Sequence, residues 1–149
     1  MVNMSKIEVT HDPIKAGQAY EDFCRANHGA GGVGMFVGRV RGSKGDILEL
    51  EHYPGMTEKS LKLIAEDATK RFELIDVVIK HRVGPMSPGE DIVLVLAAAA
   101  HRHQAIHAVD FMMDYLKTNA PFWKRQTIDG VNSWVDARTS DRDAARRWD

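Results

Sequence analysis

Residues 92–119 read IVLVLAAAAHRHQAIHAVDFMMDYLKTN, and this stretch decides the fold class. It opens with a continuous apolar run, short enough for a strand that is buried on both faces. From His101 to Asn119 the pattern becomes helical, and Pro121 ends it. Four apolar residues share one face of this helix: Ala105, Val109, Met112 and Leu116. A buried strand that leads directly into an amphipathic helix predicts mixed α and β structure.

The flanking segments supply further elements. Helices are predicted over residues 12–27, 57–72 and 140–148. Strands are predicted over residues 35–40, 47–53, 75–83, 122–128 and 131–135. Pro13 is expected in the first turn of the first helix, and Ser140 as the N-cap of the last. Asp129-Gly130 is a strong hairpin signal, because both residues tolerate positive φ. Mixed helices and strands with hairpin links predict an α+β fold.

The composition is that of an ordinary globular protein. The chain has 149 residues, 44% hydrophobic and 28% charged, which predicts one domain over residues 1–149. Its 20 basic and 21 acidic residues give a formal net charge of -1, which argues against a general nucleic-acid binder. The single cysteine, Cys24, excludes an intrachain disulfide and indicates a reducing compartment. No stretch is long enough to cross a membrane and residues 1–8 lack a signal-peptide core, so we expect a cytoplasmic protein.

Gly29, Gly31 and Gly34 match the G-x-G-x-x-G pattern of dinucleotide-binding loops. That function requires a strand before the glycines and a helix after them. Here a predicted helix comes first and a predicted strand second. We therefore expect no nucleotide cofactor, and we interpret the glycines as a helix end that leads into a loop.

Three histidines, His101, His103 and His107, raise the question of a metal site. His103 and His107 lie four residues apart and can share a helix face. No carboxylate lies between them and no cysteine cluster supplies further ligands, so no metal site is expected.

Two pairs of basic residues are candidates for binding an anion. His101 and Arg102 follow the buried strand and open the helix, where free N–H groups and the helix dipole favour negative charge. An ordinary surface arginine at a strand end is an equal alternative. Arg39 and Arg41 alternate along a predicted strand and therefore point to one face. That face either binds an anion or is solvated, and the pattern leaves both open.

Two lysines flank the end of the long helix at Pro121. Lys117 lies in the last turn, where a cation suits the helix dipole. Lys124 follows Phe122 and Trp123, and a lysine partly desolvated by aromatic rings has a lowered pKa that suits a nucleophile or proton donor. Either lysine can instead be an ordinary surface cation. Since no Ser-His-Asp or Cys-His arrangement is visible, any chemistry depends on basic groups and an anionic substrate.

Four segments carry a family likeness. They are residues 50–59 (LEHYPGMTEK), 100–102 (AHR), 113–118 (MDYLKT) and 121–125 (PFWKR). Together they resemble the large, catalytic subunit of molybdopterin synthase, over most of the chain. The resemblance implies an α/β hammerhead-type domain with an additional antiparallel β subdomain. It also implies a cytoplasmic homodimer within a heterotetramer, in which each large subunit binds one small ubiquitin-like sulfur carrier.

The same resemblance implies an activity. The carrier's C-terminal Gly-Gly tail ends in a thiocarboxylate, which delivers sulfur to cyclic pyranopterin monophosphate to form the molybdopterin dithiolene. Neither a metal nor another cofactor is implied, and neither nucleic acid nor a membrane is an implied partner. Two rival functions remain: a scaffold that captures a Gly-Gly tail without catalysis, and a phosphate-ester enzyme that uses the same cations.

The resemblance assigns roles to six residues of this chain. Lys117 and Lys124 match the two catalytic lysines. Four residues match the substrate-binding positions: Arg41, His101, Arg102 and Arg138. Arg138 is expected to reach into the pocket of the partner subunit. Gln126 departs from the pattern, because family members commonly carry glutamate there, and the loop over residues 42–46 is short.

Overall fold

The computed structural model describes residues 6–135 and 139–149, with the side chains of the last helix described from Asp143 onward. The helices of this part of the chain are α1 (Ala16–Ala26), α2 (Met56–Phe72), α3 (Arg102–Asn119) and α4 (Thr139–Arg146). Its strands are β1 (Ile7–Thr10), β2 (Gly32–Arg39), β3 (Ile47–His52), β4 (Asp76–Arg82), β5 (Gly84–Met86), β6 (Asp91–Ala99), β7 (Phe122–Ile128) and β8 (Val131–Val135). They form two four-stranded sheets, in the orders β1-β4-β6-β2 and β5-β3-β7-β8. The expected mixture of helices and strands is confirmed.

Strand β6 is buried on both faces, as its apolar run predicts. Leu94, Leu96 and Ala98 pack in a core with Phe23 of α1. The alternate residues of β6 pack in the larger core formed with α2 and α3. The two-residue alternation of a strand therefore divides one apolar run between two cores.

The second sheet is antiparallel throughout. It encloses a small core, in which the buried residues are Val40, Leu50, Val83 and Met86. The hairpin between β7 and β8 turns at Asp129 (φ 52°) and Gly130 (φ 80°), both in the left-handed region that a type I′ turn requires. The sequence predicts this hairpin with the observed bounds of both strands.

The end of α4 is attached to α3 through one carboxylate. Asp114 accepts hydrogen bonds from Trp148 Nε1 at 2.6 Å and from Arg147 Nη2 at 2.8 Å. The Asp114 side chain is 13% exposed, so these bonds are shielded from water. The hydrogen bond to Asp114 holds the pKa of Arg147 above its usual value.

Two helix starts differ from the prediction. Helix α1 begins at Ala16 with Lys15 as its N-cap, so Pro13 precedes the helix instead of occupying its first turn. The reason is that Ile14 is buried in the core beside α1, which holds the preceding residues outside the helix. Ser140 lies inside α4, which already begins at Thr139, so Ser140 is not its N-cap.

The interpretation of the glycine-rich segment is only partly correct. A helix does precede it and a strand follows it, which rules out the dinucleotide loop. However, α1 ends at Ala26 with Asn27 as its C-cap, and Gly32 and Gly34 already belong to β2. Strands β1 and β5 are not among the predicted elements. None of the helices in residues 6–135 and 139–149 combines the length and apolar character needed to span a membrane.

Candidate active site

A cavity of about 430 Å³ lies between the two sheets and the end of α3. Its walls come from β2, β3, β4, β6, β7, β8, the segment between β2 and β3, and the last turns of α3. Three of the six residues to which the resemblance assigns roles line this cavity: Arg41, Lys117 and Lys124. Arg41 is distant in the chain from the two lysines, and the fold brings all three together around a space suited to a small anionic molecule.

Strand β7 presents Lys124 to the cavity through its alternation. Lys124 pairs with Leu50 and Gln126 pairs with Leu48, and all four side chains line the cavity. Arg125 points to the opposite face, where it forms an ion pair with Glu49 that raises its pKa. The two aromatic residues that precede Lys124 in the sequence also lie on opposite faces of β7. Phe122 lines the cavity, whereas Trp123 lies on the outer face against Tyr53, with ring centroids 4.6 Å apart.

Lys117 reaches the cavity from the last turn of α3. The link between α3 and β7, which separates the two lysines, is held by Thr57 at the start of α2. The fully buried Thr57 hydroxyl donates to the Pro121 carbonyl at 3.0 Å and accepts from the Tyr53 amide at 3.1 Å. These bonds fix the position of the link relative to the second sheet.

Arg39 and Arg41 both line the cavity. Strand β2 ends at Arg39, but the alternation continues to Arg41, because Val40 between the two arginines is buried and its amide donates to the Glu90 carbonyl. Arg39 is also neutralised by Asp91, with Nε and Oδ1 3.1 Å apart. Both arginines thus face the cavity, in agreement with the prediction that they point to one face, and Arg41 is the better candidate for an anion ligand because Arg39 is already paired.

His81 is a residue of this cavity that the sequence interpretation missed. Its side chain is buried, with 9% exposure, and its ring stacks on Phe122 with centroids 3.9 Å apart and an interplanar angle of 22°. Burial, aided by the positive charges of Lys117 and Lys124, lowers the pKa of His81 from 6.5 to about 4. A signal was present in the sequence, because His81 is in phase with the apolar residues Val77 and Ile79 on β4.

The structure does not bring His101 and Arg102 to this cavity within one chain. His101 is the N-cap of α3 and Arg102 its first residue, whereas Lys117 lies in the last turn. At 1.5 Å per residue, Arg102 and Lys117 are separated by roughly 22 Å along the helix axis. Arg138 lies outside the described residues.

The histidines of α3 do not assemble a metal site in the described part of the chain. The rings of His103 and His107 have centroids 6.3 Å apart. No group of three or more His, Cys, Asp or Glu side chains suited to a metal ion is found among the described residues.

Comparisons with known proteins agree with one another. The family described as MoaE protein matches residues 9–119. The chain is 43% identical over 145 residues to the molybdopterin synthase catalytic subunit of Cereibacter sphaeroides, covering 96% of this chain and 99% of that protein. A molybdopterin biosynthesis MoaE protein from Burkholderia ambifaria has a TM-score of 0.82 at 44% identity, covering 96% of this chain and 97% of that one. The structure of the molybdopterin synthase from Staphylococcus aureus has a TM-score of 0.80 at 30% identity. The match covers 90% of this chain and 99% of that chain. Because sequence and fold both match over most of its length, the chain belongs to the MoaE protein family.

Proposed function

We propose that the cavity between the two sheets is the sulfur-transfer site of a molybdopterin synthase, of which this chain is the catalytic subunit. The substrate is cyclic pyranopterin monophosphate, and the sulfur donor is the C-terminal thiocarboxylate of a small ubiquitin-like carrier. One observation carries the proposal. Arg41, Lys117 and Lys124, which the sequence alone singles out, line the same cavity.

Each of the three cations has its own role in the reaction. Arg41 binds the phosphate, for which its planar guanidinium offers two parallel donors. The thiocarboxylate sulfur forms a C–S bond to the precursor while a C–O bond of the cyclic phosphate breaks, and the phosphate oxygen takes the electron pair. Water then attacks the acyl carbon of the resulting thioester, so that negative charge develops on the carbonyl oxygen. The acyl C–S bond breaks, the sulfur stays on the pterin as a thiolate, and the carrier leaves with an ordinary carboxylate. The Lys117 ammonium stabilises that charge inside the cavity. Lys124 transfers protons as the cyclic phosphate opens. Gln126 lines the cavity beside Lys124, in the position where the family commonly has a carboxylate.

We further propose a homodimer in which each subunit completes the other's cavity, within a heterotetramer with two carriers. Strand β2 is an edge of its sheet and carries the exposed residues Met35 and Phe36. Gly32, at the start of β2, lies next to Arg102, because a Cβ added to Gly32 would be 3.5 Å from the Arg102 Cα. Arg39, at the end of β2, lines the cavity. Antiparallel pairing of two β2 strands across a twofold axis places the start of one beside the end of the other. His101 and Arg102 then approach the cavity of the partner subunit, and Arg138 is proposed to do the same.

The remaining expectations fit this proposal. Residues 1–149 act as one domain, because Val9 and Phe122 each pack against both the large core and the small core of the second sheet. The first sheet with its helices corresponds to the hammerhead-type part, and the antiparallel second sheet to the added subdomain. The location proposed for the enzyme is the cytoplasm.

The test is reconstitution from purified components. The chain is mixed with precursor and with carrier that ends either in the thiocarboxylate or in an ordinary carboxylate, and molybdopterin is measured. We expect product with the thiocarboxylate carrier and none with the carboxylate carrier. Consumption of the precursor phosphate with either carrier would instead indicate a phosphate-ester enzyme. Carrier binding without conversion of the precursor would indicate a scaffold.

A further inference from the structure

His81 contributes an imidazole to the cavity to which the sulfur-transfer mechanism assigns no role. It enters the cavity from β4, opposite the end of α3. Two contacts fix its ring. One face stacks on Phe122, and Nδ1 lies 3.0 Å from the carbonyl oxygen of Arg82. The ring therefore has a defined orientation in a protein whose reacting groups are otherwise long, flexible side chains.

The contact with Arg82 determines the tautomer of His81. A carbonyl oxygen accepts hydrogen bonds and cannot donate them, so Nδ1 must carry the proton. In the neutral ring Nε2 is then an unprotonated acceptor. No hydrogen bond to Nε2 forms within the described residues. The cavity wall thus contains a hydrogen-bond acceptor, His81 Nε2, that has a fixed position and no donor among the described residues.

Burial lowers the pKa of His81 and keeps the ring neutral, and the charges around the ring add to this effect. Lys117 faces it from α3, Lys124 from β7 and His52 from β3, and each disfavours a further positive charge on His81. Arg82 follows it in the chain but directs its guanidinium to Glu90, at 3.2 Å. A cavity already lined by two lysines and two arginines therefore gains a dipolar acceptor at His81, and not another cation.

Lys117 supplies the complementary group. Its ammonium lines the same cavity and forms no hydrogen bond or ion pair with the described residues. Of the two lysines, Lys117 has the larger electrostatic effect on His81. A donor and an acceptor, neither of them engaged in residues 6–135 and 139–149, therefore occupy the walls of one cavity. Such pairs often align only when the substrate is bound.

We propose that His81 is a positioning residue of the active site, whose Nε2 accepts a hydrogen bond from Lys117 and directs the remaining N–H groups of that lysine toward the reacting carbonyl. This role rests on the proposed sulfur transfer, and it explains why an ionisable ring is held neutral beside two lysines. It predicts an effect on the rate of the chemical step with little effect on binding, because His81 acts through Lys117.

Two substitutions separate this role from a purely structural one. His81→Gln keeps an acceptor oxygen near the position of Nε2, whereas His81→Leu keeps the bulk and removes the acceptor. Val83→Ala is the matched control, because Val83 is buried in the neighbouring small core and does not line the cavity. Each variant is assayed with wild-type carrier in single-turnover and steady-state experiments.

We expect His81→Leu to lower kcat roughly tenfold to a hundredfold, the effect of losing a hydrogen bond to a charged group. KM for carrier and precursor should stay within about twofold, and His81→Gln should recover most of kcat. Val83→Ala should retain wild-type kcat at a temperature where it is folded. Equal loss in the Leu and Gln variants, or wild-type kcat in both, overturns the positioning role.

A spectroscopic measurement on the wild-type protein keeps the proposal testable if His81→Leu fails to fold. Two-bond ¹⁵N–¹H correlations of the His81 ring at neutral pH should show a protonated Nδ1 and an unprotonated Nε2. A protonated Nε2, or a doubly protonated ring, overturns the proposal. If the wild-type protein forms no molybdopterin at all, the sulfur-transfer function fails and the role of His81 falls with it. Failure confined to the His81 variants leaves that function standing.

Discussion

At the scale of single residues, the buried imidazole of His81 links folding stability to pH. Burial, aided by Lys117 and Lys124, lowers its pKa from 6.5 to about 4 in the folded chain. Between these values the unfolded chain binds a proton that the folded chain does not, so unfolding is favoured as the pH falls. The stabilising effect is complete above about pH 6.5 and is lost progressively toward pH 4.

We therefore expect the free energy of unfolding to decrease by as much as about 3 kcal/mol between pH 6.5 and pH 4 because of this residue. His81→Gln should flatten this part of the curve, as measured by urea unfolding at a series of pH values. Val83→Ala, the control, should lower stability by roughly 2 kcal/mol at every pH and keep the slope. An unchanged slope in His81→Gln would show that His81 is not buried in the neutral form.

The residues of the site differ in how far the sequence could identify them. Lys117, Lys124 and Arg41 carry charges in recognisable segments, and the fold places them on one cavity. His81 was missed although it is in phase with an apolar strand face. Its burial depends on stacking against Phe122, which belongs to a different sheet and is distant in the chain. A local pattern does not contain that contact.

At the scale of elements, the packing of β2 against α3 determines where the end of α3 lies. Gly34 makes this packing possible. A Cβ at this position would lie 2.7 Å from the carbonyl oxygen of Ala105 and 3.0 Å from Val109 Cγ2. The first of these is a backbone atom, so a larger residue must push β2 and α3 apart.

Gly34→Ala is therefore expected to destabilise the fold by about 1–3 kcal/mol, despite the general benefit of replacing glycine. Gly17→Ala is the matched control. Gly17 lies in α1 with no atom within 4 Å of the added Cβ. That variant should gain up to about 1 kcal/mol from helix propensity and reduced unfolded-state freedom. Thermal unfolding measures the stability of both variants. Equal stability of Gly34→Ala and Gly17→Ala would contradict the close approach of β2 and α3.

Some helices and strands could be predicted from the sequence, and others could not. The long helices and the β7–β8 hairpin follow from periodicity and from Asp129-Gly130, which are local signals. Strands β1 and β5 were missed because each is short and exists through pairing with distant residues. Ile7 of β1 pairs with Ile79 of β4, and Leu48 of β3 pairs with Met86 of β5. Local propensity does not report such pairing.

At the scale of the whole molecule, the length of α3 separates two groups that the family resemblance places in one site. Arg102 and Lys117 lie at opposite ends of the helix. The proposed twofold dimer would remove this separation, because Arg102 of one subunit would serve the cavity that contains Lys117 of the other.

This arrangement predicts complementation. Arg102→Ala and Lys117→Ala subunits should each have little activity alone. In a mixed dimer one cavity carries both changes and the other carries neither. Random mixing should therefore restore roughly a quarter of the wild-type sites. Unfolding and refolding the variants together, followed by the reconstituted assay, measures the recovery. Activity no higher than that of the separate variants would place both groups in the same subunit's site.

We propose that Lys117 acts in the chemical step of sulfur transfer. The most direct measurement compares the wild type with Lys117→Ala for two quantities, carrier affinity and the rate of molybdopterin formation from thiocarboxylated carrier and precursor. Lys70→Ala, which removes an exposed lysine of α2 outside the cavity, is the control and should behave as wild type. We predict that Lys117→Ala binds the carrier with nearly unchanged Kd and forms product on the order of a hundredfold to a thousandfold more slowly. Product formation at a rate close to that of the wild type would contradict the account.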